Sequence, residues 1–206
     1  MNRIIVVVMG MCASGKSTLT KQLVDMYPDE FIRVSAGDIV RELHKGLTKE
    51  RREEDIRFIN KYGLSKYDTE IRQGIYNKIS SSSNKNIILD GYPRTVDQLK
   101  DVIDSYYSFM VVDLIAHPLV ILRRMDERGR DTDIDKEEII RAQSKNESQM
   151  LEYLKDISRD KEIPILTLDT TYSEIKDVKY AVKTVRNYLK FYEKNILEDI
   201  GRCGGD

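Results

Sequence analysis

With 206 residues, 40% of them apolar and 33% charged, the chain suits one compact α/β domain with room for small insertions. A net charge of −1 excludes the basic field that non-specific nucleic-acid binding needs, and no apolar run approaches the length of a membrane span. The two cysteines, Cys12 and Cys203, have neither disulfide nor zinc spacing, and the N-terminus lacks the plan of a signal peptide, so a cytoplasmic monomer is expected.

The first element is an apolar run at residues 3–9, which reads as a fully buried parallel strand. Gly-Met-Cys-Ala-Ser-Gly-Lys-Ser follows at residues 10–17, a complete G-x-x-x-x-G-K-[ST] phosphate loop. A helix-period segment from Ser17 to Met26 comes next, with Leu19, Leu23 and Met26 on one face. Strand, glycine turn and helix start together aim backbone N–H groups and the positive end of a helix dipole at one point, which is a polyphosphate site. Gly10 and Gly15 permit the turn, Ala13, Ser14 and Thr18 supply backbone around the anion, Lys16 reaches the β and γ phosphates, and Ser17 offers a hydroxyl to Mg²⁺. ATP with Mg²⁺ is therefore the expected ligand.

Further strands are expected at 31–34, 86–90, 109–115 and 163–168, separated by helical patterns, which implies a parallel sheet with helices on both faces. The charge-dense stretch Lys45–Glu54 has mixed signs and reads as a solvated helix face. Ile71, Ile75 and Ile79 mark the apolar stripe of the next helix. Asn86-Ile87-Ile88-Leu89-Asp90 ends a buried strand in a carboxylate, the arrangement that steers Mg²⁺, often through a water. His117-Pro118 starts a helix that carries Arg124 and Arg128 one turn apart, and Arg130 and Arg141 flank a short excursion. The final helix repeats Ile175, Val178, Val182, Val185, Leu189 and Tyr192 after a Thr171–Glu174 capping box, and residues 201–206 read as a loose tail. His44 and His117 are lone histidines, read as a surface polar group and a helix start.

Asp90-Gly91-Tyr92-Pro93-Arg94-Thr95 matches the D-G-[FY]-P-R-T signature of adenylate kinase-type nucleoside monophosphate kinases, and the chain resembles that family from about residue 4 to 190. Ser35-Ala36-Gly37-Asp38-Ile39-Val40-Arg41 is similar to the family's S-[TA]-G-D segment, and Gln98 matches the glutamine that reads the acceptor base. The resemblance implies a P-loop NTPase three-layer sandwich, a five-stranded parallel sheet in the order 2-3-1-4-5 with helices on both faces and short lid insertions. It implies one domain over 1–206, with an inserted acceptor segment at about 38–80 and a short lid at about 124–141. By the same resemblance Ser35, Ala36, Gly37, Arg41, Gly91, Arg94 and Gln98 hold the nucleoside monophosphate, and Arg124 lies near the donor's adenine. Lys16, Arg94, Arg128, Arg130 and Arg141 then act on the transferring group, Asp133 pairs within the lid, and Ser17 and Asp90 serve the metal.

Physical chemistry points the same way. Phosphoryl transfer between two nucleotides needs in-line positioning and cations rather than covalent chemistry, and guanidinium forks fit phosphate oxygens. Ala36 is familiar in UMP/CMP kinases where AMP-specific members carry threonine, and Leu64-Ser65-Lys66 replaces the family's Leu-Val-Pro, so the acceptor base stays open with pyrimidine slightly ahead. Two alternatives stand beside this reading: a phosphate-loop kinase of a non-nucleotide metabolite, and a nucleotide-binding regulatory protein without turnover.

Overall fold

The computed structural model describes residues 3–82, 84–106, 108–129, 133, 135–158, 163–172 and 175–203. Five strands pair in parallel, in the spatial order β2 (Phe31–Ser35), β3 (Asn86–Asp90), β1 (Ile5–Met9), β4 (Phe109–Ile115), β5 (Ile165–Asp169). This is the order expected of a P-loop NTPase sandwich. Among the described residues eight helices complete the layers: α1 (Lys16–Met26), α2 (Ala36–His44), α3 (Lys49–Tyr62), α4 (Asp68–Ser80), α5 (Val96–Ser105), α6 (Pro118–Arg128), α7 (Lys136–Ile157) and α8 (Ile175–Cys203).

The near-continuous apolar strands follow from burial on both faces, with side chains alternating between two cores. Ile5, Val7 and Met9 of β1 join Ile87, Leu89 and Val111 against Ile71, Ile75, Leu99, Val102, Met150 and Leu154 of the helices on one face. Val6, Val8, Ile88, Met110 and Val112 pack on the other face against Leu19 and Leu23 of α1 and Val182, Val185 and Leu189 of α8. A smaller cluster of Ala116, Ile121, Met125 and Ile139 presses α6 and α7 onto Met11, Cys12 and Ala13. The sheet register sets Val8 beside Asp90 and Asp90 beside Ser35, so the phosphate loop, the strand-end carboxylate and the start of α2 share one edge.

Most helix starts are capped by their own sequence. Ser35, Thr48, Thr95 and His117 accept from backbone N–H groups of α2, α3, α5 and α6. His117 is thus a helix start, as its sequence context predicts. Two local expectations change. His44 is buried rather than a surface group. Thr171 accepts from the His117 backbone N–H, and the Thr171–Glu174 capping box lies partly outside the described residues. α8 also continues to Cys203, through the glycine at 201 that the sequence suggested would open a tail. Among the described residues no helix is long and apolar enough to cross a membrane.

Candidate active site

Residues 10–15 wrap tightly because three of them hold left-handed backbone: Gly10 at φ +129°, Ala13 at +57° and Gly15 at +100°. A Cβ on Gly10 would meet the Leu114 carbonyl oxygen at 2.4 Å and Ser14 Oγ at 2.7 Å, so only glycine fits against β4. The loop delivers the chain into α1 with an unusual start. Of the helices whose starts are described, α1 alone has neither a side-chain cap nor an acid in its first turn. Its leading N–H groups and dipole are left for an anion, beside the exposed Ser17 and Thr18. Lys16 Nζ folds back onto the loop, donating to the carbonyls of Gly10 and, at 2.5 Å, of Met11. Burial, reinforced by the nearby Arg94 charge, pulls the Lys16 ammonium down to about 8. Cys12 is a packed filler: burial pushes its thiol up, and Sγ lies 3.5 Å from Met125 Sδ.

Asp90 closes β3 beside the loop. Its Oδ2 receives Thr20 Oγ1 at 3.2 Å and Arg33 Nε at 3.0 Å, with Arg33 Nη2 on the same oxygen. Arg33 also reaches Asp38, which pairs with Arg41, so one chain of charges runs from the strand-end carboxylate to Arg41 on α2. The Arg41 side chain is 68% exposed. Ser35 caps α2, and Gly37 lies under the Arg41 guanidinium, where a Cβ would sit 3.4 Å from Nη1.

Arg94 turns back over Gly91, donating from Nε to its carbonyl at 3.0 Å. Burial outweighs the Asp90 charge and lowers the guanidinium below its ordinary value. Lys16, Gly10, Gly91 and Arg94 line a common cavity of about 80 Å³, closed by Gln143 and Glu147 of α7. Gln98 stands behind it, buried: Oε1 accepts from Arg94 N at 2.7 Å and Nε2 donates to Asp68 Oδ1 at 2.7 Å. Arg124 Nη2 donates to the Thr170 carbonyl at 2.5 Å and Nη1 to that of Ala13 at 3.3 Å, which places it against the phosphate loop. Arg128 forks onto Asp133 through Nε at 2.6 Å and Nη2 at 2.8 Å. Arg141 stays outside the cavity, 82% exposed and 3.8 Å from Glu137. Arg130 lies outside the described residues.

Several site residues were not apparent in the motifs. On α7, Gln143, Asn146 and Glu147 form one polar ridge: Gln143 Oε1 accepts from Cys12 N at 2.7 Å, and Asn146 Nδ2 donates to the Tyr62 carbonyl at 3.3 Å. The chain passes Asn146 at Gly63, at φ +75°, where a Cβ would come within 2.8 Å of Nδ2. Asp55, fully buried, receives Ser65 Oγ, the Lys66 N–H at 2.6 Å and the His44 ring at 2.8 Å, tying α2, α3 and the 63–67 loop together. The signal was a charge among apolar neighbours: Arg33 inside Phe31–Val34, and Glu147 on the stripe of Met150 and Leu154.

A family model described as AAA domain matches residues 9–141, which includes the loop, Asp90, Arg94, Arg124, Arg128, Arg130 and Arg141. The chain belongs to the AAA domain family. Three curated relatives carry the name adenylate kinase. The protein from Campylobacter concisus (strain 13826) is 33% identical over 96 residues, 46% of this chain and 49% of the relative. That from Thermococcus sibiricus (strain DSM 12597 / MM 739) is 35% identical over 95 residues, 46% and 40%. That from Borrelia turicatae (strain 91E135) is 27% identical over 123 residues, 59% and 57%. This AAA domain thus spans about half the length of the curated relatives it matches, and its likeness to the adenylate kinases agrees with the motifs read from the sequence.

Proposed function

We propose that this AAA domain is a short-lid nucleoside monophosphate kinase, moving the γ-phosphoryl of Mg-ATP to a ribo- or deoxynucleoside monophosphate and releasing ADP and a diphosphate. The observation that carries this reading is the convergence of Lys16 and Arg94 on one cavity at the uncapped start of α1. The likeness to proteins named adenylate kinase supports it. In this reading one domain carries two inserted parts, an acceptor segment at about 38–80 and a lid at about 124–141.

The donor's phosphates lie along the N–H groups of residues 13–18, and Arg124 borders the donor's base. Lys16 leaves the Gly10 and Met11 carbonyls for the phosphates, exchanging neutral acceptors for charged ones. Arg41 and Arg94 grip the acceptor phosphate. Arg128, Arg130 and Arg141 close from the lid, and the acceptor oxyanion attacks in line, so no general base is needed. At 80 Å³ the cavity is well below the roughly 300 Å³ at which pockets begin to hold organic ligands, so the end of α3 must swing away from α7 to admit a base. Ser65, Ala36 and Gln98 then border the acceptor, with Gln98 exchanging Asp68 for it.

Magnesium fits the residues present. Ser17 and Asp90 supply hard oxygen donors, and because Arg33 and Thr20 crowd one Asp90 oxygen, Oδ2, the other is left to hold the ion through a water. Bound with ATP, the metal would neutralise charge on the β and γ phosphates.

Diphosphate formation from Mg-ATP, assayed against ribo- and deoxynucleoside monophosphates singly, tests the reading. A clear preference for one acceptor is expected. ATP binding with silence across the whole panel would overturn it in favour of a non-nucleotide acceptor or a regulatory protein.

A further inference from the structure

Two carboxyl groups that the transfer scheme does not use lie directly beneath the phosphate loop. Asp113 interrupts the apolar run of β4 and is buried. Glu147 comes to meet it from α7, near enough that each carboxyl acts on the other's titration. Counted as two carboxylates, both are orphaned: Asp113 Oδ1 and Glu147 Oε1 are fully shielded from water and neither has a donor among the described residues. Two ionised carboxylates cannot hydrogen-bond, and two oxygens shielded from water without donors carry the full cost of unpaired charge. A single proton between them satisfies both. We propose that Glu147 and Asp113 share one proton, held mainly on Glu147, and that this proton keeps the phosphate cavity one negative charge lighter when a nucleotide enters.

The surroundings favour that state. Burial and the Asp113 charge push the Glu147 carboxyl up to about 7; burial raises the Asp113 carboxyl as well, with Glu147 and Lys16 pulling it back. Lys16 of α1 faces the pair and pulls the other way. Cys12, Arg94 and Asp90 are the other charged or titratable groups around Lys16, and Ile59 of α3 with Gly63 just after it line the same cavity. On α7 the pair's neighbours are the uncharged Gln143 and Asn146. Glu147 lines the cavity that Lys16 and Arg94 share, so a second ionised carboxylate there would oppose every phosphate brought to those cations. Incoming phosphate charge in turn strengthens the hold on the proton. Glu147 is therefore a positioning residue, acting through the charge of the site rather than by touching the reacting atoms.

This consequence for nucleotide binding rests on the kinase reading; the shared proton does not, and the experiment separates them. Infrared spectra of the ligand-free protein, titrated from pH 5 to 9, should contain a protonated carboxyl band that is lost near neutrality and is absent from Glu147→Gln. No such band would overturn the proposal. Binding of magnesium-free ATP is then followed by calorimetry in two buffers of different ionisation enthalpy. Wild type should take up more protons on binding at pH 7 than Glu147→Gln, the difference cancelling the titration of ATP itself. Its affinity should also fall about tenfold more steeply between pH 6 and 8. Equal proton uptake and equal pH dependence in the two proteins would overturn the link to nucleotide binding. Failure of wild type to bind ATP would instead sink the kinase reading, with the infrared result still deciding the pair. Should Glu147→Gln not fold, Asp113→Asn serves: removing the neighbouring charge should move the band's loss to lower pH, and an unmoved midpoint would refute sharing.

Discussion

In the proposed kinase reading, the donor and acceptor halves of the site are built from different materials. On the donor side the ligand-facing groups are backbone, fixed by left-handed residues at 10, 13 and 15 and by the fit of Gly10 against β4. On the acceptor and lid side they are long cationic side chains, and Arg41 and Arg141 stand mostly in solvent on weak local ion pairs. The phosphate loop is preorganised, whereas in the proposed reading the acceptor grip would be assembled when segments close. A fixed cradle gives affinity for any polyphosphate, and a grip that forms only on closure can reserve turnover for the correct acceptor.

Substitutions can test this contrast. The largest effect is expected from Lys16→Met, which should lower kcat/KM by about 10³-fold or more with the thermal midpoint little changed. Near-normal turnover would show that the cradle does not act on the transferring group. Arg94→Ala should cost about 3 kcal/mol of transition-state stabilisation, read from kcat/KM, since it bridges the two halves. Asp55→Ala should lower stability to urea by about 3 kcal/mol, because it strands the Ser65 hydroxyl, the Lys66 N–H and His44. ATP affinity should survive that change; if it falls equally, the halves are not independent.

Glu147→Gln probes the shared floor of both halves. The native Glu147 carboxyl titrates near 7 against an ordinary 4.5, so wild type loses stability as pH rises from 4.5 to 7 and is level above that range. The variant has no such loss and should gain on wild type by on the order of 2 kcal/mol between pH 5 and pH 8 in urea titrations. The smallest effect on stability is expected from Arg41→Ala, within about 0.5 kcal/mol, while the KM for the acceptor rises about tenfold. A stability loss beyond 1 kcal/mol would place Arg41 in the fixed frame.

The same division explains what the sequence made legible. Strands and the phosphate loop depend on local pattern, apolar runs and glycines at set spacing, and lie where their residues predicted, while the sheet order came with the family resemblance. The grouping of Lys16 with Arg94 also followed, since both leave strand ends on one edge of the sheet. What stayed hidden depends on pairing across the fold. Asp55 sits in a run of mixed charge, and nothing local distinguishes it from Glu53 or Glu54, which face solvent. Gln98 reads as a base-binding residue by position, yet its amide is held by Arg94 N and Asp68, a partner that only the docking of α4 reveals. Arg33 and Asp113 did leave a trace, as single charges inside apolar strands, but the trace does not name the partner.

The uncapped start of α1 has a thermodynamic consequence. Every other described helix start is completed by the chain's own atoms or charges, so here the anion is the missing piece of the fold. Stability then follows mass action: nucleotide at 100 times its Kd adds about 2.7 kcal/mol to the free energy of unfolding. A melting temperature taken in bare buffer describes a different material from the protein in a nucleotide pool, and the lifetime of the chain should rise and fall with that pool.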